Sequence, residues 1–233
     1  MKQASNSFSC ASKRLAHLAA VLAAALPLFF TGCGGGDEPA ESEPPTLAGV
    51  WDLMILDSNE LFTLMLTQSG NNVTGTSSAG MSVNGTVAGN LFPFVMKMGQ
   101  SELTFTTTLS DDWNNMAGTF LSNNNYAGTF TAIRRGTGEG VDMTGSWLSE
   151  DMTTKASLTM QITQDGNTLT GIPQGSQTPL AGVISGSQIA FSKQTAGNNI
   201  SWSGNLSYDG NTVIGRWVNS SVPSVGVWRM TRQ

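Results

Sequence analysis

Along most of this chain apolar and polar residues alternate in short runs, each bounded by glycine, asparagine or aspartate. Alternation with period two predicts half-buried β-strands. In the first half the predicted strands run near Gly49 to Leu56, Leu61 to Gln68, Val73 to Ser77 and Met81 to Val87. They continue near Leu91 to Lys97, Glu102 to Ser110, Met116 to Leu121 and Tyr126 to Arg134. Between them lie Ser69-Gly70-Asn71-Asn72, Gly89-Asn90, Asp111-Asp112-Trp113-Asn114 and Ser122 to Asn125. Such residues supply the positive φ of tight hairpins. No stretch carries a convincing 3.6-residue period.

The pattern is then repeated. Gly49-Val50-Trp51 returns as Gly145-Ser146-Trp147, and Leu64 to Gly75 returns as Met160 to Gly171, both at an offset of 96. The offset is 97 for Gly85 and Gly89 against Gly182 and Gly186, and 98 for Gly128-Thr129-Phe130 against Gly226-Val227-Trp228. Turns match as well, at Asp165-Gly166-Asn167 and Asp209-Gly210-Asn211. A spacing this constant means a duplicated unit with small loop insertions. The expected fold is all-β: two tandem antiparallel up-and-down meander barrels of about eight short strands each.

Alternate strand residues share a face. Gly49, Trp51 and Leu53 share one, as do Met116, Gly118 and Phe120, and Gly128, Phe130 and Ala132. Glycines therefore recur on the apolar face beside large rings, as in small barrels filled by alternating small and large side chains. Pairing the first strand with the eighth would close each sheet and remove its edges. The first core is expected to hold Trp51 with Phe62, Phe92, Phe94, Phe105, Phe120 and Phe130. The second is expected to hold Trp147, Ile162, Ile189, Phe191, Trp202, Trp217 and Trp228.

Leu47-Ala48-Gly49-Val50-Trp51 followed by Val73-Thr74-Gly75-Thr76 resembles the opening of the avidin family and the wider lipocalin-like (calycin) barrels. The second copy has Thr144-Gly145-Ser146-Trp147 and Thr170-Gly171-Ile172. The resemblance covers the first third of each copy and implies a barrel. It does not extend to biotin. Leu53 and Ser149 stand where the avidin pattern has asparagine, and Ser77 and Pro173 stand where it has tyrosine.

The N-terminus reads as an export signal. Lys2, Lys13 and Arg14 precede an apolar run from Leu15 to Phe30, too short for the ~20 residues of a membrane span. Phe30-Thr31-Gly32-Cys33 resembles the lipobox of bacterial lipoproteins, which implies cleavage before Cys33 and diacylglycerol on its sulfur. Gly34 follows the cysteine where an inner-membrane retention signal would have aspartate, so the expected location is the outer membrane of a bacterial envelope. More than one acyl chain gives stable anchoring. The glycines, carboxylates and prolines up to Pro45 form a solvated tether. The expected organisation is signal 1–32, lipidated cysteine and tether 33–46, first barrel 47–135, linker 136–141 and second barrel 142–233.

The whole chain carries a formal charge of −5. From Cys33 onward eight basic residues face sixteen acidic ones, a charge of −8. That argues against nucleic acid, whose backbone needs clustered Lys and Arg. The only histidine, His17, and Cys10 lie in the signal, and Cys33 would be lipidated. The barrels therefore hold no histidine and no free thiol, which excludes Ser-His-Asp and Cys-His catalysis, histidine-based zinc sites and an internal disulfide. No nucleophile elbow or phosphate loop occurs, and no catalytic residue, metal site or cofactor is expected.

Trp51 and Trp147 are candidate ligand platforms, although their size and position favour plugs at the barrel floor. The Asp-Gly-Asn segments lack the further oxygen ligands of a calcium loop and read as hairpin turns. Asp111-Asp112 and Glu150-Asp151 read as solvated loop carboxylates, and Arg134, Arg135 and Arg232 as snorkelling rim residues. The sequence thus points to a non-enzymatic, monomeric envelope lipoprotein. Its barrels would bind a small apolar ligand or an envelope protein. A purely structural module with sealed barrels and a lipocalin-like protease inhibitor are the alternatives. An internal cavity discriminates among them.

Overall fold

The structure, a computed structural model, describes residues 46–195 and 197–233. The export signal, Cys33 and nearly all of the tether lie outside the described residues. The described chain is all-β. The first eight strands are β1 (Gly49–Ile55), β2 (Glu60–Ser69), β3 (Asn72–Ser77), β4 (Ser82–Thr86), β5 (Phe94–Met98), β6 (Ser101–Leu109), β7 (Asn115–Ser122) and β8 (Ala127–Arg134). The next eight are β9 (Gly145–Asp151), β10 (Ser157–Asp165), β11 (Thr168–Pro173), β12 (Leu180–Ser185), β13 (Gln188–Thr195), β14 (Asn198–Leu206), β15 (Thr212–Asn219) and β16 (Ser224–Arg232). Each set pairs in sequence order and closes on itself, so the duplicated unit is one eight-stranded barrel. β1 pairs with β8 through Leu53 and Ala132, and β9 pairs with β16 through Asp151 and Trp228. Closure satisfies the backbone groups that an open edge would leave free.

Local chemistry sets the turns. Gly70 and Gly166 take φ of 56° in the two equivalent first hairpins, as positive-φ hairpin turns require. One strand starts later than the alternation predicts. Leu91 makes only isolated bridges to Ala88 and Thr108, and β5 begins at Phe94. Pro93 has no N–H to give the ladder, so regular pairing resumes after it.

The glycines on the inner faces make room for rings. A Cβ on Gly85 would lie 2.6 Å from both Phe92 and Phe94, and one on Gly128 2.8 Å from the Phe120 ring. In the second barrel a Cβ on Gly182 would lie 2.5 Å from Phe191, and one on Gly226 2.4 Å from the Trp217 indole nitrogen. Small and large side chains thus interlock across neighbouring strands.

Each barrel has its own apolar core, and a third apolar cluster joins them. β1 is buried on both faces. Trp51, Leu53 and Ile55 point inward, while Met54 packs outward with Ile133, Ile214 and Val227, all at most 1% exposed. The outer faces of β1 and β8 therefore meet those of β15 and β16. Backbone pairing extends the seam. Gly136 N–H donates to Leu206 O at 2.9 Å, and Tyr208 N–H donates to Arg134 O at 2.8 Å. Beyond it Gly138, with φ of 73°, lies so close to Gly186 that a Cβ would come within 1.9 Å of its carbonyl oxygen.

Candidate functional site

The two barrels share a plan but fill it differently. In the first, Phe94 and Phe105 are cross-strand partners and stack with centroids 4.4 Å apart and planes 4° from parallel. Phe92 stacks on Phe94 at 4.9 Å, and Phe130 meets Phe105 edge-on at 5.1 Å. Such pairs contribute about 0.5–1.5 kcal/mol each beyond their buried area. These four rings are at most 2% exposed, and the interior is packed. Phe62, expected in the core, is only partly buried at its edge.

The second barrel keeps the rungs and changes their occupants. Where Phe94 pairs with Phe105 and Phe105 with Phe120, here Phe191 pairs with Trp202 and Trp202 with Trp217. Where Leu53 faces Phe62, Ser149 faces Leu158. Where Ile55 faces Phe130, Asp151 faces Trp228. Trp202 and Trp217 are only partly buried. The result is a cavity of about 240 Å³ at the open end of the barrel. Its wall includes Met160, Leu180, Phe191, Ile200, Trp202, Trp217 and Trp228, with Ser149 and Asp151 as polar points. Inward-facing residues of seven of the eight strands, all but β11, contribute to it.

Asp151 is the last residue of β9 and shares its inner face with Trp147 and Ser149. Its Oδ1 accepts the backbone N–H groups of Thr153 at 2.8 Å and Thr154 at 3.2 Å. Burial opposes its ionisation. The donors from Thr154 and Thr153, with the nearby Trp217 indole, outweigh that and hold the carboxyl below its ordinary value. Trp217 Nε1 lies near this carboxylate without normal hydrogen-bond geometry, and it is buried. Trp228 Nε1 donates to Ser203 O at 3.3 Å and Arg216 O at 3.1 Å, so its N–H is committed to the barrel wall.

The tryptophans singled out as platforms, Trp51 and Trp147, are both 0% exposed. Their Nε1 atoms donate to Leu47 O and Met143 O, at 2.9 Å in each case. They sit in the interior away from the Asp151 mouth. The flanking arginines also differ from the rim reading. Arg134 donates to Ala48 O at 2.6 Å, and Arg232 donates to Thr144 O and Asp142 O while lying over the Trp147 ring. Arg135 makes a two-pronged contact with Asp52, itself 1% exposed. All three fasten the chain segments where the barrels begin and end.

The paired carboxylates separate in role. Asp112 stays in its turn, accepting from Ser110 and Asn114. Glu150 and Asp151 are on a strand rather than in a solvated loop. Glu150 faces outward to Arg229 at 2.7 Å, and Asp151 faces in. The alternation from Trp147 carried that signal. Among the described residues no cluster of three metal-ligating side chains occurs. A second groove, of about 350 Å³, runs outside between Leu61 and β12–β15, where Ala190 and Ser203 are small outward-facing residues.

No protein-family model matches the chain, and no curated protein matches it. Solved structures match the chain only at low similarity. A transferrin-binding protein B double mutant from Haemophilus parasuis is 11% identical with a TM-score of 0.38, the match covering 78% of this chain and 44% of that one. The isotype 1 transferrin-binding protein B of Neisseria meningitidis is 11% identical with a TM-score of 0.35, covering 78% of this chain and 43% of that one. The chain thus spans less than half the length of these two proteins. HpuA from Kingella denitrificans, solved with human haemoglobin, is 11% identical with a TM-score of 0.36, covering 81% of this chain and 89% of that one. At such values these likenesses assign neither a family nor a ligand.

Proposed function

We propose that this protein is a lipid-anchored, non-enzymatic binding module of a bacterial envelope, in which the two copies have divided the work. The first barrel is a ring-filled structural element. The second holds a small, mostly apolar ligand in its open end, while Cys33 carries the anchor and the acidic tether gives reach.

The observation that supports this reading is the cavity beside Trp202, Trp217 and Trp228. It lies just under the ~300–1,000 Å³ of pockets for drug-sized ligands, so it suits a single ring system or a short branched chain. Its walls are apolar with few polar points, the usual composition of a small-molecule site. The barrels contain no histidine or cysteine to supply a nucleophile and its base.

Titration with the neutral fluorophore 2-naphthol tests the reading. Saturable binding is expected, with Trp202→Ala weakening it strongly and Phe105→Trp in the first barrel leaving it alone. Absence of saturable binding, or binding indifferent to Trp202, would refute it.

A further inference from the structure

We infer that the ligand of the second barrel is a small organic cation, with a trimethylammonium or similar group seated among the tryptophans and against Asp151. This rests on the cavity being a ligand site, as proposed above, and adds the ligand's charge.

The first support is the exchange between the copies. Ile55, 2% exposed, completes the packed interior of the first barrel. The second barrel carries Asp151 at that rung, opposite Trp228. Replacing a buried aliphatic side chain by a carboxylate costs stability unless the charge finds partners. Asp151 accepts two backbone N–H groups but has no ion-pair partner among the described residues. Its negative charge is left to face the cavity.

The second support is what surrounds it. Among the described residues, Asp151 is the only ionisable one in the cavity wall. Lys193, which takes the place of Met96, lies on β13 two residues beyond Phe191 and is not part of the wall. Three indoles and a phenyl ring share the rest of the lining with Leu158, Met160, Leu180, Ile200 and the small Ser149 and Ala156. Two of the indole N–H groups are unavailable to a guest, since Trp228 donates to the backbone and Trp217 Nε1 is buried over Gly226. A guest therefore meets mostly aromatic and aliphatic carbon, with one carboxylate, the Ser149 hydroxyl and the Trp202 indole N–H as its polar contacts. Aromatic rings attract cations through their quadrupole, and the attraction grows when water is excluded. Aromatic walls with a single carboxylate match a cation with a greasy coat. A sugar would need several hydrogen-bond donors and acceptors. An anion would meet only repulsion.

Charge is isolated by comparing choline with 3,3-dimethylbutan-1-ol, which has the same shape and a carbon in place of the nitrogen. Calorimetric titrations use residues 46–233, with both barrels present. Choline is expected to bind about tenfold more tightly than the alcohol. Asp151→Asn keeps the oxygen that accepts Thr153 and Thr154 and removes the charge. It is expected to erase that preference, so that choline binds no more tightly than the alcohol. If 2-naphthol binds while choline and the alcohol are equal, or if the preference survives Asp151→Asn, the cation reading is wrong and the apolar site stands. If neither 2-naphthol nor choline binds, both readings fall.

Discussion

The guanidinium carbon of Arg232 lies 4.6 Å from the centre of the Trp147 ring, and the same side chain donates to the carbonyls of Thr144 and Asp142. The last strand of the second barrel thus clamps both the first-strand tryptophan and the segment leading into it. With its own N–H bonded to Met143 O, Trp147 is held on every polar and apolar side. Trp147→Ala should therefore cost about 3–5 kcal/mol, the range for truncating a buried large ring. Trp202→Ala, at the half-open mouth, should cost much less stability and remove ligand binding. Chemical denaturation of both variants makes the comparison. A Trp147→Ala midpoint close to the parent's would show that this ring is no plug.

Much of this architecture was legible in the sequence. The near-constant repeat offset gave two copies, and the Gly-x-Trp and Gly-x-Phe or Gly-x-Trp strands gave closure of first on last. Alternation also says which residues face inward. It does not say whether they fill the space. Alternation places Trp202 and Trp217 in the second core because they face in; with Ser149 and Asp151 as neighbours they leave a gap there. The seam was hidden for a related reason. Met54, Ile133, Ile214 and Val227 lie on outward faces, and only the packing of one barrel on the other buries them. Pro93 moved the start of β5 through a missing donor, which a hydrophobic pattern does not register.

Asp52 and Arg135 offer a test of a buried charge pair. Arg135 reaches the carboxylate at 2.6 and 3.0 Å, and Thr63 Oγ1 donates to it at 3.1 Å. Removing one partner strands the other charge, which typically costs about 3–5 kcal/mol. Asp52→Ala should lower the denaturation midpoint by that order, with Arg135→Met close behind. A double variant that loses no more than either single change would confirm coupling, whereas fully additive losses would show two independent contacts.

The acid limb of stability follows from Asp151 and Asp112. Both carboxyls lie below their ordinary value of 3.8 in the folded protein. In both, burial opposes ionisation but is outweighed by hydrogen bonds, those from Ser110 and Asn114 serving Asp112. A carboxyl depressed by folding adds stability above its unfolded value. That stability drains away as pH falls through the folded value, so the window lies from about 3.8 downward. Both groups are largely solvated, which keeps the effect small. Urea midpoints at pH 7 and pH 3 should show Asp112→Asn closing part of its gap to the parent at the lower pH. A gap that widens in acid would contradict the sign.

In the lipoprotein reading proposed above, anchoring depends on one atom, the Cys33 sulfur. With Cys33→Ser no thioether can form, so unprocessed precursor should accumulate and labelled palmitate should not enter the protein. Label in the Cys33→Ser protein would remove the lipoprotein reading, while leaving the barrels and their cavity untouched.

The seam decides how far the copies depend on each other. Each barrel closes its own sheet and has its own core, so a fragment beginning at Gly140 is expected to unfold in a single cooperative transition. It would also expose Ile214 and Val227, buried in the intact protein against Met54 and Ile133. Exposing a buried aliphatic side chain costs roughly 1.5–3 kcal/mol, so the fragment should be several kcal/mol less stable than the same barrel in the whole chain. Replacing Ile214 and Val227 by threonine should destabilise the intact chain but change the fragment little, because in the fragment both already face water. A fragment with no cooperative transition would show that the seam is part of one shared fold. A fragment as stable as the intact protein would show that the seam contributes nothing, and that the two barrels touch without supporting each other.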